Sequence, residues 1–136
     1  MPPLRFDDML RFSTFCRKLL ESNLNIILVA IVNKRGRVIE LKTKDGFSSQ
    51  FGDKDLEMFF MQRALQATMI RDSDCKLGVF NYTITKRENM FEYIAQLDDG
   101  LLLVLIDSIQ SFSELVSAVD DMNHRFVNSR LDIVAV

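Results

Sequence analysis

The apolar positions of the chain fall into two kinds of run. After Asn25 the sequence reads Ile-Ile-Leu-Val-Ala-Ile-Val to position 32, seven apolar residues without a break, and positions 101 to 106 repeat the feature as Leu-Leu-Leu-Val-Leu-Ile. Short unbroken runs of this length predict strands, and a strand apolar on both sides belongs in the middle of a sheet covered on both faces. Other segments alternate. Ile39 and Leu41 oppose Glu40 and Lys42 in a strand over 37 to 43, and Phe80, Tyr82 and Ile84 oppose Val79, Asn81, Thr83 and Thr85 over 77 to 86. The stretch from 90 to 97 alternates less cleanly. Alternating strands suit the edges of a sheet. Lys34-Arg35-Gly36 and Asp98-Asp99-Gly100 supply tight turns between neighbouring strands.

Helical spacing accounts for most of the remainder. Phe6, Met9, Phe12, Cys16 and Leu19 recur every three or four positions over 5 to 21. Asp53 is placed to cap a middle helix running to Arg71, with Asp55 and Glu57 in its first turn at the positive end of the helix dipole. Projected at about 100° per residue, that helix carries Leu56, Phe60, Ala64 and Ala67 on one stripe and Met58, Met61, Leu65 and Met69 on another. A surface helix needs one apolar stripe, so this one is expected to be covered on both sides. Ser111-Phe-Ser-Glu114 reads as a capping box opening a last helix with Phe112, Leu115, Val119, Met122 and Phe126 on its face.

The order is therefore helix, two strands, helix, three strands, helix. Putting the doubly apolar strands at the centre predicts an α+β three-layer sandwich with a five-stranded antiparallel sheet in the order 2-1-5-4-3. The first and last helices cover one face and the middle helix the other. At 136 residues this is one domain over 1 to 136, with the apolar segment 131 to 136 a mobile tail and residues 44 to 54 a loop. Its Phe47 and Phe51 either tuck beneath the loop, the favoured reading, or form a contact surface.

Charge and chemistry narrow the function. Net charge is −2 with both signs interspersed, which gives no field to hold nucleic acid or an anionic membrane. The apolar runs fall well short of the roughly 18 residues of a membrane span, and the acidic start Met1-Pro2-Pro3-Leu4-Arg5-Phe6-Asp7-Asp8 carries no secretory signal. A cytoplasmic protein is the expectation. Cys16 on a helix face reads as a small buried hydrophobe, and Cys75 as a loop residue. The single histidine, His124, projects with Asp120, Asp121 and Asn128 on a polar face. With no second histidine and no Cys cluster, neither a zinc site nor nucleophilic chemistry is indicated. The glycines are scattered, so no phosphate-binding loop is formed. No cofactor, metal or catalytic residue is expected, and the chain is read as a non-enzyme. Lys34, Arg35 and Arg37 at a hairpin tip are the one concentrated basic spot.

The hairpin Ala30-Ile-Val-Asn-Lys-Arg-Gly-Arg-Val-Ile39, the long middle helix, and Gly100-Leu-Leu-Leu-Val-Leu-Ile106 leading into the last helix resemble the Roadblock family of longin-like and profilin-like domains, prokaryotic members included, from about residue 6 to 126. The resemblance implies a dimeric scaffold or small-GTPase regulator in which the middle helix and third strand pair with their copies. The interface residues would be Met58, Met61, Leu65, Met69, Phe80, Tyr82 and Ile84. Lys34, Arg35, Arg37, Phe47 and Phe51 are candidate contacts for a protein partner. The alternative reading is a PAS-like sensor of a small ligand, which shares the strand order but uses several short helices where this chain has one long one.

Overall fold

The computed structural model describes residues 6–22, 25–45, 47, 51–97, 99–107 and 111–129, with side chains between residues 10 and 125. The elements are α1 (Phe6–Leu20), β1 (Ile26–Asn33), β2 (Val38–Thr43), α2 (Asp53–Arg71), the single turn α3 (Asp74–Leu77), β3 (Tyr82–Lys86), β4 (Met90–Leu97), β5 (Gly100–Asp107) and α4 (Phe112–Ser129). The strands form one antiparallel sheet in the order β2-β1-β5-β4-β3. This α/β architecture is the one the apolar patterning demands.

The unbroken apolar runs are explained by the layers. In β1, Val29 and Ile31 face one layer and Leu28, Ala30 and Val32 the other; in β5, Leu102 and Val104 oppose Leu101, Leu103 and Leu105 in the same way. Phe12, Cys16 and Leu19 of α1 pack with Ala118, Val119 and Met122 of α4 on the first side. Phe60, Ala64 and Ala67 of α2 cover the second. Each fully buried Leu, Ile or Phe contributes about 1.5–3 kcal/mol, and the two small alanines bring α2 close to the central strands.

Two glycines are fixed by close approach. Gly36, at φ 85°, lies so near α2 that a Cβ would stand 2.7 Å from Met61 Cα and 2.8 Å from the Phe60 carbonyl oxygen. A Cβ on Gly100 would stand 2.0 Å from the Val32 carbonyl oxygen. The first glycine seats the β1–β2 hairpin against α2; the second lets β5 start directly beside β1.

Several expectations are corrected. The strand expected over 77 to 86 begins only at Tyr82, and Cys75 lies in the turn α3 rather than in a loop. The earlier residues therefore do not share the alternation of β3. Asp53 is the first residue of α2 and not its cap; Gly52 precedes the helix without a side-chain cap bond. Phe112, assigned to the core face of α4, is 79% exposed. The capping serine holds, since Ser111 Oγ accepts a bond from the Glu114 N–H at 3.1 Å. Side-chain packing at Phe6, Met9 and Phe126, the loop positions 46 and 48 to 50, and the tail 131 to 136 lie outside what is described.

Candidate interaction surface

α2 is fastened to the sheet edge by polar contacts that the sequence reading did not find. Glu92 of β4 is buried, at 2% exposure, under α2. Arg63 Nε and Nη2 donate to its two carboxylate oxygens at 2.7 and 2.9 Å. Arg87, after β3, donates to Oε1 at 3.3 and 3.1 Å. Burial pushes the Glu92 carboxyl up, but hydrogen bonds and charge from Arg63 and then Arg87 outweigh it, so its pKa lies below the ordinary value. A carboxylate so engaged is a clasp and not a base. Arg63 also lies over the Phe59 ring, 4.4 Å from its centre. Two turns on, Arg71 donates to Gln96, whose amide donates to the Phe80 carbonyl at 3.0 Å. Eight helical residues span about 12 Å and the four strand residues from 92 to 96 about 13 Å. The helix and β4 therefore run alongside each other in matched spacing. The single signal available in the sequence was a charged residue in an otherwise apolar stretch from 90 to 97.

These contacts fix which way each flank of α2 points. Arg63, Gln66, Ala67 and Ile70 line a small gap of about 20 Å³ with Phe80, Thr83 and Ile94, on the β3 side. Met61 lies on the opposite flank, over the β1–β2 hairpin at Gly36. Helical periodicity then turns Met58, Leu65 and Met69 away from the sheet. All four expected members of the second stripe are bare: Met58 55%, Met61 53%, Leu65 63% and Met69 62% exposed. Within one copy, this ridge is uncovered.

The seven residues assigned to an interface are spread over three places. The Met–Leu ridge tops α2. Phe80 is tucked half-buried against the core beneath α2. Tyr82 and Ile84 lie on the other face of the sheet, where Tyr82 stacks on Tyr93 at 5.5 Å and Ile84 pairs with Tyr93 across the ladder. They are 40% and 36% exposed, on the edge strand β3. Burial, and secondarily the neighbouring Tyr82, pushes the Tyr93 phenol up, and its hydroxyl bonds Asn123 of α4.

Of the candidate partner contacts, Phe47 is in the core and Phe51 half-buried, the two rings stacked 6.0 Å apart. Lys34, Arg35 and Arg37 are exposed. Asn33 Oδ1 holds their turn by accepting from the Arg35 and Arg37 N–H groups at 2.9 and 3.0 Å, and Lys34 reaches Asp99 at 3.9 Å. The basic tip therefore lies beside Met61, with its backbone turn held by Asn33.

Two further features flank β3. An open groove of about 390 Å³ is lined by Phe51, Asp55, Met58, Phe59, Gln62, Arg63 and Arg87, next to the end of the strand. Before its start, Leu77 and Val79 are 84% and 68% exposed. Among the described residues no three of His, Cys, Asp and Glu converge as metal ligands. No described helix is long and apolar enough to cross a membrane.

No protein-family description and no curated protein matches the sequence. Solved structures do match. The gliding protein MglB from Thermus thermophilus superposes with a TM-score of 0.71 at 17% identity, over 99% of this chain and 98% of that one. An MglB with a tetrameric arrangement gives 0.71 at 15%, over 99% and 97%. A Roadblock/LC7 domain from Streptomyces avermitilis gives 0.58 at 9%, over 85% and 97%. Identities this low speak for the fold, and the fold is that of a Roadblock-type domain.

Proposed function

We propose that this Roadblock-type domain is a homodimeric, non-enzymatic interaction module that regulates or scaffolds a small GTPase. The observations that carry the reading are a bare apolar ridge along the outer side of α2 and an edge strand, β3, at the end of the sheet. An edge strand has unpaired N–H and C=O groups on one side, and pairing it with its copy about a two-fold axis continues the sheet. Tyr82 and Ile84 then meet their copies on one face. On the other face the two α2 helices run antiparallel, side by side. The ridges of Met58, Met61, Leu65 and Met69 stand on the outer side of the helices, away from the sheet, as an exposed apolar surface. Methionine-rich surfaces adapt to a partner's shape, and the basic tips of Lys34, Arg35 and Arg37 border this one.

What supports the GTPase partner is the likeness in fold to Roadblock-type domains, and the lack of converging catalytic groups among the described residues is compatible with an adaptor. Light scattering tests the assembly: the chain should be a dimer, and Ile84→Asp, which sets like charges against each other across the axis, should be a folded monomer. A wild-type monomer at high concentration would refute the reading. For the partner, purified small GTPases loaded with GDP or a non-hydrolysable GTP analogue should include one that binds the wild type and fails on Met61→Glu; no binding by any would remove the GTPase from the account.

A further inference from the structure

The segment between α2 and β3 has a composition at odds with its surroundings. Leu77 is 84% and Val79 68% exposed, and a Cβ built on Gly78 would meet nothing within 4 Å. This segment stands away from the body of its own copy. It is nonetheless held in place: α3 closes with the Leu77 N–H on the Ser73 carbonyl at 2.9 Å and the Gly78 N–H on the Asp74 carbonyl at 2.8 Å. Asp74 Oδ1 accepts from the Phe80 N–H at 3.3 Å. Leu77 and Val79 thus form a small apolar projection on a hydrogen-bonded turn.

The groove beside Arg87 is mixed: Asp55, Gln62, Arg63 and Arg87 make its larger, polar part, and Phe51, Met58 and Phe59 give it one apolar wall. Phe51 and Phe59 meet edge to face, with ring centres 5.8 Å apart, and Met58 joins them in its wall while Arg63 and Arg87 are pinned by Glu92. The walls are therefore preformed. The projection precedes the first residue of β3 and the groove adjoins its last. An antiparallel pair about a two-fold axis swaps those ends: with Ile84 on the axis, Asn81 of one copy lies opposite Arg87 of the other. The segment leading into β3 is thereby carried to the groove, on the α2 side of the sheet. Such a contact is made twice and is self-complementary, as a two-fold interface requires.

We infer that the occupant of the groove is a second copy of this chain, whose Leu77 and Val79 seat against Phe51, Met58 and Phe59. The inference rests on the strand-edge dimer proposed above and adds the contact that locks its register. Burying two aliphatic side chains at each end would make the dissociation constant depend strongly on residues that a single copy does not use.

The test uses the full chain. Because Leu77 and Val79 are bare in one copy, Leu77→Ser with Val79→Ser should leave the thermal melt of the monomer unchanged while raising the dimer dissociation constant, measured by sedimentation, at least about tenfold. A second measurement is geometric. Cys75 is exposed and Cys16 buried, so a short bis-maleimide should not join wild-type chains, whose Cys75 residues lie far apart across the axis. It should join chains carrying Gln62→Cys, through Cys75 of one copy and the groove of the other. An unaltered dissociation constant with no covalent dimer overturns the inference while leaving the strand-edge dimer standing. A chain that is monomeric throughout, with Ile84→Asp indistinguishable from wild type, overturns both.

Discussion

Replacing Arg63 by Met removes the bidentate partner of a carboxylate that is 2% exposed and retains the length and greasiness of the stem. Arg87 alone then faces Glu92, from a side chain that is 57% exposed and free to turn into water. Breaking a buried pair from one side costs about 3–5 kcal/mol, and the remaining arginine puts the expectation at the lower end, about 3 kcal/mol. Against a total of about 5–15 kcal/mol for a domain this is a large share, equivalent to a fall in Tm of about 10 °C. The pH dependence carries the sharper signature. In the wild type the Glu92 carboxyl lies below its ordinary 4.5, so its stabilisation is complete above that value and is lost as pH falls through the lower, folded one. In Arg63→Met burial prevails and the folded pKa rises above the unfolded one, so the penalty present at neutral pH disappears on acidification. Urea titrations of both proteins at pH 7 and pH 4.5 should therefore show a gap that narrows at the lower pH. A loss below about 1 kcal/mol, or a gap of constant size, would refute the view of Glu92 as a charged clasp.

Other consequences are simpler to read. Gly36→Ala combines a left-handed backbone with a Cβ 2.7 Å from Met61 Cα, and should cost upwards of about 2 kcal/mol; a neutral result in a denaturant titration would show that the hairpin tip does not bear on α2. Cys16 is buried and its thiol is pushed up to about 12 by desolvation, with Glu40 adding to it. At pH 8 a thiol reagent should accordingly modify Cys75 at once and Cys16 only in denaturant, and two fast thiols would contradict the packing of α1. Tyr93→Phe should lower stability by about 1 kcal/mol through loss of the Asn123 bond, whereas Tyr82→Phe should leave the monomer's stability unchanged.

How far the fold could be read from the chain depended on the length scale of each signal. The runs 26 to 32 and 101 to 106 announced two central strands because a strand of six or seven apolar residues in sequence suits a sheet covered on both faces, and the strand order follows from them. The two stripes of α2 were equally legible, since periodicity over 19 residues leaves little ambiguity. Local alternation misled at 77 to 81. Leu77 and Val79 fit a strand by spacing, but the turn α3 follows α2 first, the Asp74 side chain takes the Phe80 N–H, and the ladder begins only at Tyr82. Phe112 satisfied the helical period yet stands on the first turn of α4, where the period says nothing of whether the sheet extends beneath it. The clasp from Arg63 to Glu92 joins residues 29 apart in sequence, a pairing that no local pattern encodes.

Backbone hydrogen exchange along β3 bears most directly on whether a second copy covers this edge. Alternate amides between Tyr82 and Lys86 point away from β4, toward the open edge of the sheet. In a strand-edge dimer these outward amides are protected at high protein concentration and lose protection on dilution, in step with the fall in mass from twice 15.7 kDa. Outward amides that exchange at the rate of open chain at every concentration, while those bonded to β4 stay protected, would contradict it.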